Sequence, residues 1–478
     1  MRVFKNIVLI LLTIIVIIAP FLSVVMYAVL SEPVYNETYS AALIDKMDRL
    51  KTTEGRKIVV IGGSSVAFGL DSELMQQYVG LPVINFGLYA ALGSLLMLDL
   101  AEEYINDGDV VIFAPEMDKQ ALSLYFSAGN TLRAVDGSFE ILRGVDTEHY
   151  AALIGGTWDF AADKIRLGDD GDTLSALGIY KRSSFNEYGD IDIPRAENVM
   201  QGYYDRNNLP MLSPECYGDE LDELGAYLRE YVQRLPNGAK MYLSFSPINS
   251  LSVDPSLTDS DVSRFGEYVA ERLGLPTISY IEDYVLEPGY FYDTNFHLND
   301  VGARLRTILL ARDLKLELDI TEGTLDDVPA APELPFFDVV FDEVDENAKY
   351  FTYTTLSDGA KAITGLSQLG LMQEHLTVPL GVDGRKIVSI ERGALASPNL
   401  KSLTITADSN LARFSEGAFE GAGNLTDIYI YKKSGNDINP PSSFVGASHS
   451  LKIHVPSDSD FDTHYYWSER GVPIIPMD

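Results

Sequence analysis

Ser64 stands just beyond a short β-branched run, Lys57-Ile58-Val59-Val60-Ile61, in the loop Gly62-Gly63-Ser64-Ser65-Val66-Ala67-Phe68-Gly69. A serine at a strand-to-helix turn lies beside backbone N–H groups that can receive an oxyanion, the arrangement that nucleophilic attack on an ester requires. A phosphate-binding loop would need a lysine after its glycines, and none follows. Glycines and serines that merely form the turn are the plain alternative. A serine nucleophile needs a base, usually histidine. The chain has six: His149, His297, His375, His449, His454 and His464. The last four fall in a separate C-terminal region, and His149 has no flanking pattern. His297 sits in an aromatic-rich turn, Phe291-Tyr292-Asp293-Thr294-Asn295-Phe296-His297-Leu298-Asn299-Asp300, directly before a helical pattern. A carboxylate four residues upstream, Asp293, can hold the imidazole in one tautomer and stabilise the imidazolium that forms during attack. Glu116 and Asp118 together read as a weak metal pair or as hydrogen-bonded residues at a strand end, and no metal or other cofactor is expected.

These residues need elements to position them. Lys57–Ile61, Pro82–Phe86, Asp109–Phe113 and Lys240–Phe245 read as buried strands. Helical patterns follow from Asp71 through Tyr78, over Leu92–Ile105, Glu220–Arg234, Asp261–Leu273 and Asn299–Leu314. Strand and helix alternating through short loops predict an α/β fold, a three-layer α/β/α doubly wound parallel sheet. Ligands of such sheets sit beyond the carboxyl ends of the strands, where Ser64 lies. Residues 119–215 lack the alternation and read as an insertion over the sheet.

Within 55–315 these residues resemble the SGNH/GDSL hydrolases, three-layer enzymes that cleave or transfer acyl esters. Ile61-Gly62-Gly63-Ser64 looks like the family's first block, with Gly63 where Asp is frequent, and Asn85-Phe86-Gly87 like its second. The resemblance implies Ser64, His297 and Asp293 as catalytic residues, with the N–H groups of Ser64 and Gly87 forming part of the oxyanion hole. Gly63, Asn85, Glu116 and Asn295 would line the pocket. Two positions depart from the pattern. Phe113-Ala114-Pro115-Glu116-Met117-Asp118 has no third-block Asn, and Thr294 stands three before His297, where the family carries Asp. Membrane-anchored relatives acting on cell-envelope polymers share the plan of one N-terminal helix plus this domain.

The chain's balance fits that plan. With 36 Lys+Arg against 70 Asp+Glu among 478 residues, the net charge is -34. No basic block exists to release counterions from a nucleic acid, which argues against that partner. The single cysteine, Cys216, excludes an intramolecular disulfide. Arg2 and Lys5 precede an uncharged run, Ile7 to Leu30. It reads as a transmembrane anchor, with the N-terminus cytoplasmic and the bulk of the chain extracellular at a bacterial cell membrane. A cleaved signal peptide is the competing reading.

Residues 319–349 read as an acidic, proline-bearing linker. Beyond it, Gly393-Ala394-Leu395, Gly417-Ala418-Phe419 and Ser443-Phe444-Val445 open three similar units. Leu395 to Phe419 is 24 residues and Phe419 to Phe444 is 25, periods of a leucine-rich repeat solenoid. These units resemble repeats of bacterial surface antigens, with Tyr353–Val388 as an N-terminal leader. The divisions expected are therefore 1–31 anchor, 32–318 hydrolase-like domain, 319–349 linker and 350–478 repeats. The function expected is a serine esterase or O-acyltransferase on acylated cell-wall or capsule glycans. Its repeats would bind a protein or glycan or serve as a spacer. The alternative is a non-catalytic surface-binding protein on a decayed hydrolase fold.

Overall fold

The computed structural model describes residues 13, 16, 18–20, 22–169, 179–195, 204–205, 208–332, 340–341, 343–356, 359–441, 443–468 and 470–477. The chain divides into two units, Met1–Leu334 and Pro335–Asp478.

In the first unit, β1 (Ile58–Gly62), β2 (Val83–Gly87), β3 (Val110–Phe113) and β4 (Lys240–Leu243) form a parallel sheet in the order β2-β1-β3-β4. An isolated parallel bridge, Leu243 to Thr277, extends it by one rung. The strands are buried on both faces, as continuous Val/Ile runs require. Alternation along each strand sends its side chains to two separate cores. Val59, Ile61, Ile84, Phe86 and Val111 pack with α1 (Ala42–Thr52), and with three further helices given below. Ile58, Val60, Val83, Val110 and Ile112 pack against two others.

In chain order the remaining helices of this unit are α2 (Ser64–Ala67), α3 (Ser72–Val79), α4 (Ser94–Glu102), α5 (Ala128–Ala134), α6 (Tyr150–Asp169), α7 (Glu220–Arg234), α8 (Asp259–Leu273) and α9 (Asp300–Glu317). Helices α4, α7 and α8 cover the first face with α1; α3 and α9 cover the second. Caps fix their ends. Asp71 Oδ1 accepts from Leu74 N–H, and Asn299 Oδ1 accepts from Gly302 N–H at 2.9 Å each. Thr258 and Asp261 form a reciprocal capping box on α8.

One short pair follows the sheet. β5 (Ile248–Asn249) and β6 (Val285–Leu286) pair in parallel and support the loop that carries His297, through Asn249 N–H to Asn295 O at 2.9 Å. The segment expected as an insertion contains the 20-residue helix α6. Its residues 179–195 are stitched to the rest of the unit by the Thr38–Lys181 bridge and the Arg182–Asp45 ion pair at 2.6 Å. Residues 329–331 lie against this unit as well: the Tyr290 hydroxyl donates to Pro329 O at 2.8 Å, and Ala331 packs with Leu286 and Phe291.

The expectation of a transmembrane helix is corrected. Among the described residues no helix is long and apolar enough to cross a membrane. Of Ile7–Leu30, only 13, 16, 18–20 and 22–30 are described, all helical, and the others lie outside the described residues. The single-pass cell-membrane placement and the extracellular orientation built on that helix are corrected with it.

The second unit opens with β7 (Phe351–Thr355) antiparallel to β8 (Lys361–Leu366). A parallel stack then joins β9 (His375–Thr377) with β12 (Ser402–Ile405), β14 (Asp427–Ile430), β15 (Lys452–Pro456) and β16 (Ile474–Met477). A second five-stranded sheet joins β10 (Gly381–Val382), β11 (Arg385–Ile390) and β13 (Arg413–Phe414) to β8 and β7. Equivalent positions of successive units fall in register, Leu403 beside Ile428 and Ile428 beside Ile453, all fully buried. Phe414, Phe419 and Phe444 stack in sequence with ring centroids 5.2 and 4.9 Å apart, and Trp467 continues the line at 6.3 Å. No unit buries its own apolar face, so each supplies the next with cover.

Lys57 and Asp109 form a fully buried ion pair at 2.6 Å at the amino ends of β1 and β3, and Asp109 also accepts from Lys57 N–H and Asn106 N–H. Asp109→Ala would strand the ammonium, and we expect a loss of about 3–5 kcal/mol, measured by urea denaturation; a shift below about 1 kcal/mol would show that the pair is not desolvated.

Candidate active site

β1 ends where two chain segments must pass very closely. A Cβ on Gly62 would lie 2.5 Å from Ala114 O, and one on Gly87 would lie 2.3 Å from Val66 Cβ. The register pairs Gly62 with Gly87. Only glycine at both positions lets the chain turn directly into α2, whose first residue is Ser64.

His297 reaches this turn from the loop before α9. Phe291 and Leu298 bridge in antiparallel fashion, Tyr292 N–H donates to His297 O at 2.9 Å, and the loop closes as a tight hairpin. Thr294 Oγ1 accepts from the N–H groups of Phe296 and His297 at 3.2 and 3.1 Å. Thr294 therefore shapes the loop, while Asp293, one residue further back, supplies the carboxylate. His297 Nε2 lies 2.7 Å from Ser64 Oγ, and His297 Nδ1 lies 2.8 Å from Asp293 Oδ1. With Nδ1–H donating to the carboxylate, Nε2 is left to accept the Ser64 proton. The ring is held flat against Phe68, centroids 4.1 Å apart and planes 4° from parallel. Ser64 and His297 are 8% and 6% exposed, so bulk water screens the pair little.

Three side chains outside the expected set complete the arrangement. The Tyr180 hydroxyl donates to Asp293 Oδ2 and lies 3.1 Å from His297 Nδ1. Arg195 donates to Phe68 O and Leu298 O at 2.9 Å each, tying the ring under His297 to the strand behind it. Burial lowers the Arg195 guanidinium below its ordinary value, opposed by Asp300 and other acids. Arg306 of α9 is wholly buried and donates to Ser65 O at 2.7 Å and Phe245 O at 3.2 Å. Burial lowers it to about 10, with Tyr284 and Glu116 acting in the opposite direction. No pattern of types marks these three in the sequence. Each acts through a backbone carbonyl or a carboxylate that only the fold brings near.

The four expected pocket residues divide. Glu116 is at Ser64: its Oε1 accepts from Ser65 N–H at 2.8 Å and from Ser64 Oγ at 3.2 Å, and it is 4% exposed. Gly63 leaves the space that this carboxylate fills. Asn85 is scaffold, donating to Val66 O and Asp190 Oδ1 at 2.9 and 2.8 Å and accepting from Gly87 N–H at 3.1 Å. Asn295 is scaffold too, clamping Asp205 and Asn208 through their backbones. Ser64 N–H, as the first amide of α2, has no acceptor within its helix, whereas Gly87 N–H already has one in Asn85. Asp118, hydrogen-bonded to Gln120 and Ala121 N–H, is pushed up to about 6 by burial and by the charge of Glu116. Among the described residues no group of three or more His, Cys, Asp or Glu could hold a metal ion.

No protein-family model matches the chain, and no curated protein matches it. Among solved structures it is similar to the crystal structure of a leucine-rich repeat protein of T. pallidum, with 16% identity over 22% of this chain and 69% of that one. The TM-score is 0.17, too slight a likeness to carry an argument.

Behind Asn85, the Asp190 carboxylate accepts from Ser72 N–H and Oγ–H at 2.7 Å each, and burial raises it above the ordinary carboxylate range. Lys46, buried beside it, donates to Asn85 O at 3.0 Å and to Gly189 O, and burial lowers its ammonium to about 7. In the unfolded chain Lys46 titrates near 10.5. Between these values the unfolded state therefore binds the extra proton, and Lys46 makes stability rise with pH across that window. The urea midpoint should climb from pH 7 to 9 more steeply in the native protein than in Lys46→Met; identical slopes would refute the assignment.

Proposed function

We propose that the first unit is a serine esterase or O-acyltransferase, acting on acyl esters such as those of O-acylated glycans. The observation that carries this reading is the continuous hydrogen-bond chain from Ser64 through His297 to Asp293. Ser64 Oγ attacks the acyl carbonyl carbon while its proton passes to His297 Nε2, and the carbonyl π electrons move onto oxygen. Asp293, fixed on its outer oxygen by Tyr180, stabilises the imidazolium. Collapse of the tetrahedral species breaks the bond to the leaving alkoxide, which takes the proton from Nε2. Water or a second alcohol then attacks acyl-Ser64 as His297 accepts its proton; collapse breaks the Ser64 Oγ–acyl bond, Oγ takes the proton back from Nε2, and the choice of nucleophile decides hydrolysis or transfer.

One observation favours a second reading, a binding protein on the same scaffold. The amides of Ser65 and Gly87, next to Ser64, already have side-chain acceptors, so an incoming oxyanion finds fewer open donors than at a fully cleared site.

Aryl-acetate turnover and fluorophosphonate labelling separate the two. The esterase reading expects both in the native protein and neither in Ser64→Ala. Asp293→Asn should lower turnover by about 10³–10⁴-fold, because the carboxamide favours the wrong tautomer. Tyr180→Phe should cost less, about tenfold, since one hydrogen bond to the carboxylate is worth ~1.5–3 kcal/mol at most. Absence of turnover, with labelling equal in the native protein and Ser64→Ala, would leave the binding reading.

A further inference from the structure

We propose that Glu116 occupies the Ser65 amide, a donor an ester's oxyanion could use, and holds Ser64 in a latent arrangement until displaced; this rests on the esterase reading above. Ser64 has a single hydroxyl proton and two acceptors within reach, His297 Nε2 at 2.7 Å and Glu116 Oε1 at 3.2 Å. Attack needs that proton on the path to His297. The same Glu116 oxygen takes Ser65 N–H at 2.8 Å. The amide of the residue after a nucleophile is a common oxyanion donor at strand-to-helix turns. One carboxylate therefore competes for both the nucleophile's proton and a donor that would stabilise the developing charge.

The surroundings are built for that carboxylate. Gly63 has an ordinary backbone, φ -84°, which any residue could adopt. A Cβ there would stand 2.8 Å from Glu116 Oε1 and 3.1 Å from Oε2. Glycine at 63 is thus explained by space for Glu116 and not by conformation. The buried Arg306, whose guanidinium is stabilised by the charge of Glu116, donates to Ser65 O and so holds the same peptide segment from the opposite side. Glu116 is 4% exposed, so water screens its charge little.

Glu116→Gln keeps the shape and an acceptor for Ser65 N–H, removes the charge and adds an N–H donor. Fluorophosphonate labelling of Ser64 should then be about tenfold faster than in the native protein, with fluoride leaving as the Ser64 oxygen bonds to phosphorus and the proton passes to His297. Gly63→Ala, which crowds the carboxylate away from Ser65 N–H, should accelerate labelling independently and carries the test if Glu116→Gln loses its thermal unfolding transition. Ser64-dependent labelling that is no faster in either variant would overturn the latent role and leave the esterase reading standing. Labelling that persists in Ser64→Ala, or is absent from the native protein and both variants alike, would overturn both.

Discussion

The contact between Ser64 Oγ and His297 Nε2 joins residues far apart in the chain, and much of the first unit can be understood as what keeps it at 2.7 Å. The Ser64 turn is fixed from below by two glycines that permit near-contact between β1, β2 and the turn after β3. The histidine loop is fixed by Thr294, by the hairpin bridge and by Asn299 at the start of α9. Arg306 connects them, since its helix follows the histidine loop and its guanidinium grips the carbonyl of Ser65. Arg195 does the same from the far side, holding Phe68 and Leu298 together. Two buried guanidiniums satisfied largely by carbonyls are costly to desolvate. They are retained where rigid, multi-point donors define a geometry that apolar packing would leave loose.

Strands were legible because a parallel sheet covered on both faces demands unbroken β-branched runs, and Lys57–Ile61 or Asp109–Phe113 have no other comfortable reading. Ser64 and His297 were legible from residue type plus place, at a strand end and before a helix. Asp293 was legible only against the expected spacing, and the structure explains the shift, since the hydroxyl of Thr294 is spent on the loop's own amides. Asn85 and Asn295 misled because an asparagine offers donor and acceptor alike, and the sequence cannot tell whether these face a ligand or the backbone. Helix α6 was missed because Gly155-Gly156 and a weak apolar stripe obscure its period. The apolar N-terminal run reads as a membrane span on composition alone, and among the described residues no helix is long and apolar enough to cross a membrane.

The second unit obeys a different economy. Its strands are short, and each is held by neighbours one repeat away more than by anything within its own repeat. The aromatic line from Phe414 to Trp467 runs across repeats, and Trp467 closes it by donating to Ile438 O at 2.9 Å and Gly435 O at 3.2 Å. Regular spacing made this readable from sequence, because a solenoid repeats its constraint and so repeats its residues.

Segment 179–195 has an evolutionary consequence. It brings Tyr180 to Asp293, Asp190 to Asn85, and Arg195 to Phe68. In many enzymes the part that covers a site can be exchanged freely, and new substrates are acquired by swapping it over an unchanged core. Here the segment and the Ser64–His297–Asp293 group share hydrogen bonds, so replacing one would disturb the other. A lineage carrying this arrangement would be expected to vary by single substitutions around the turn and not by wholesale loop exchange.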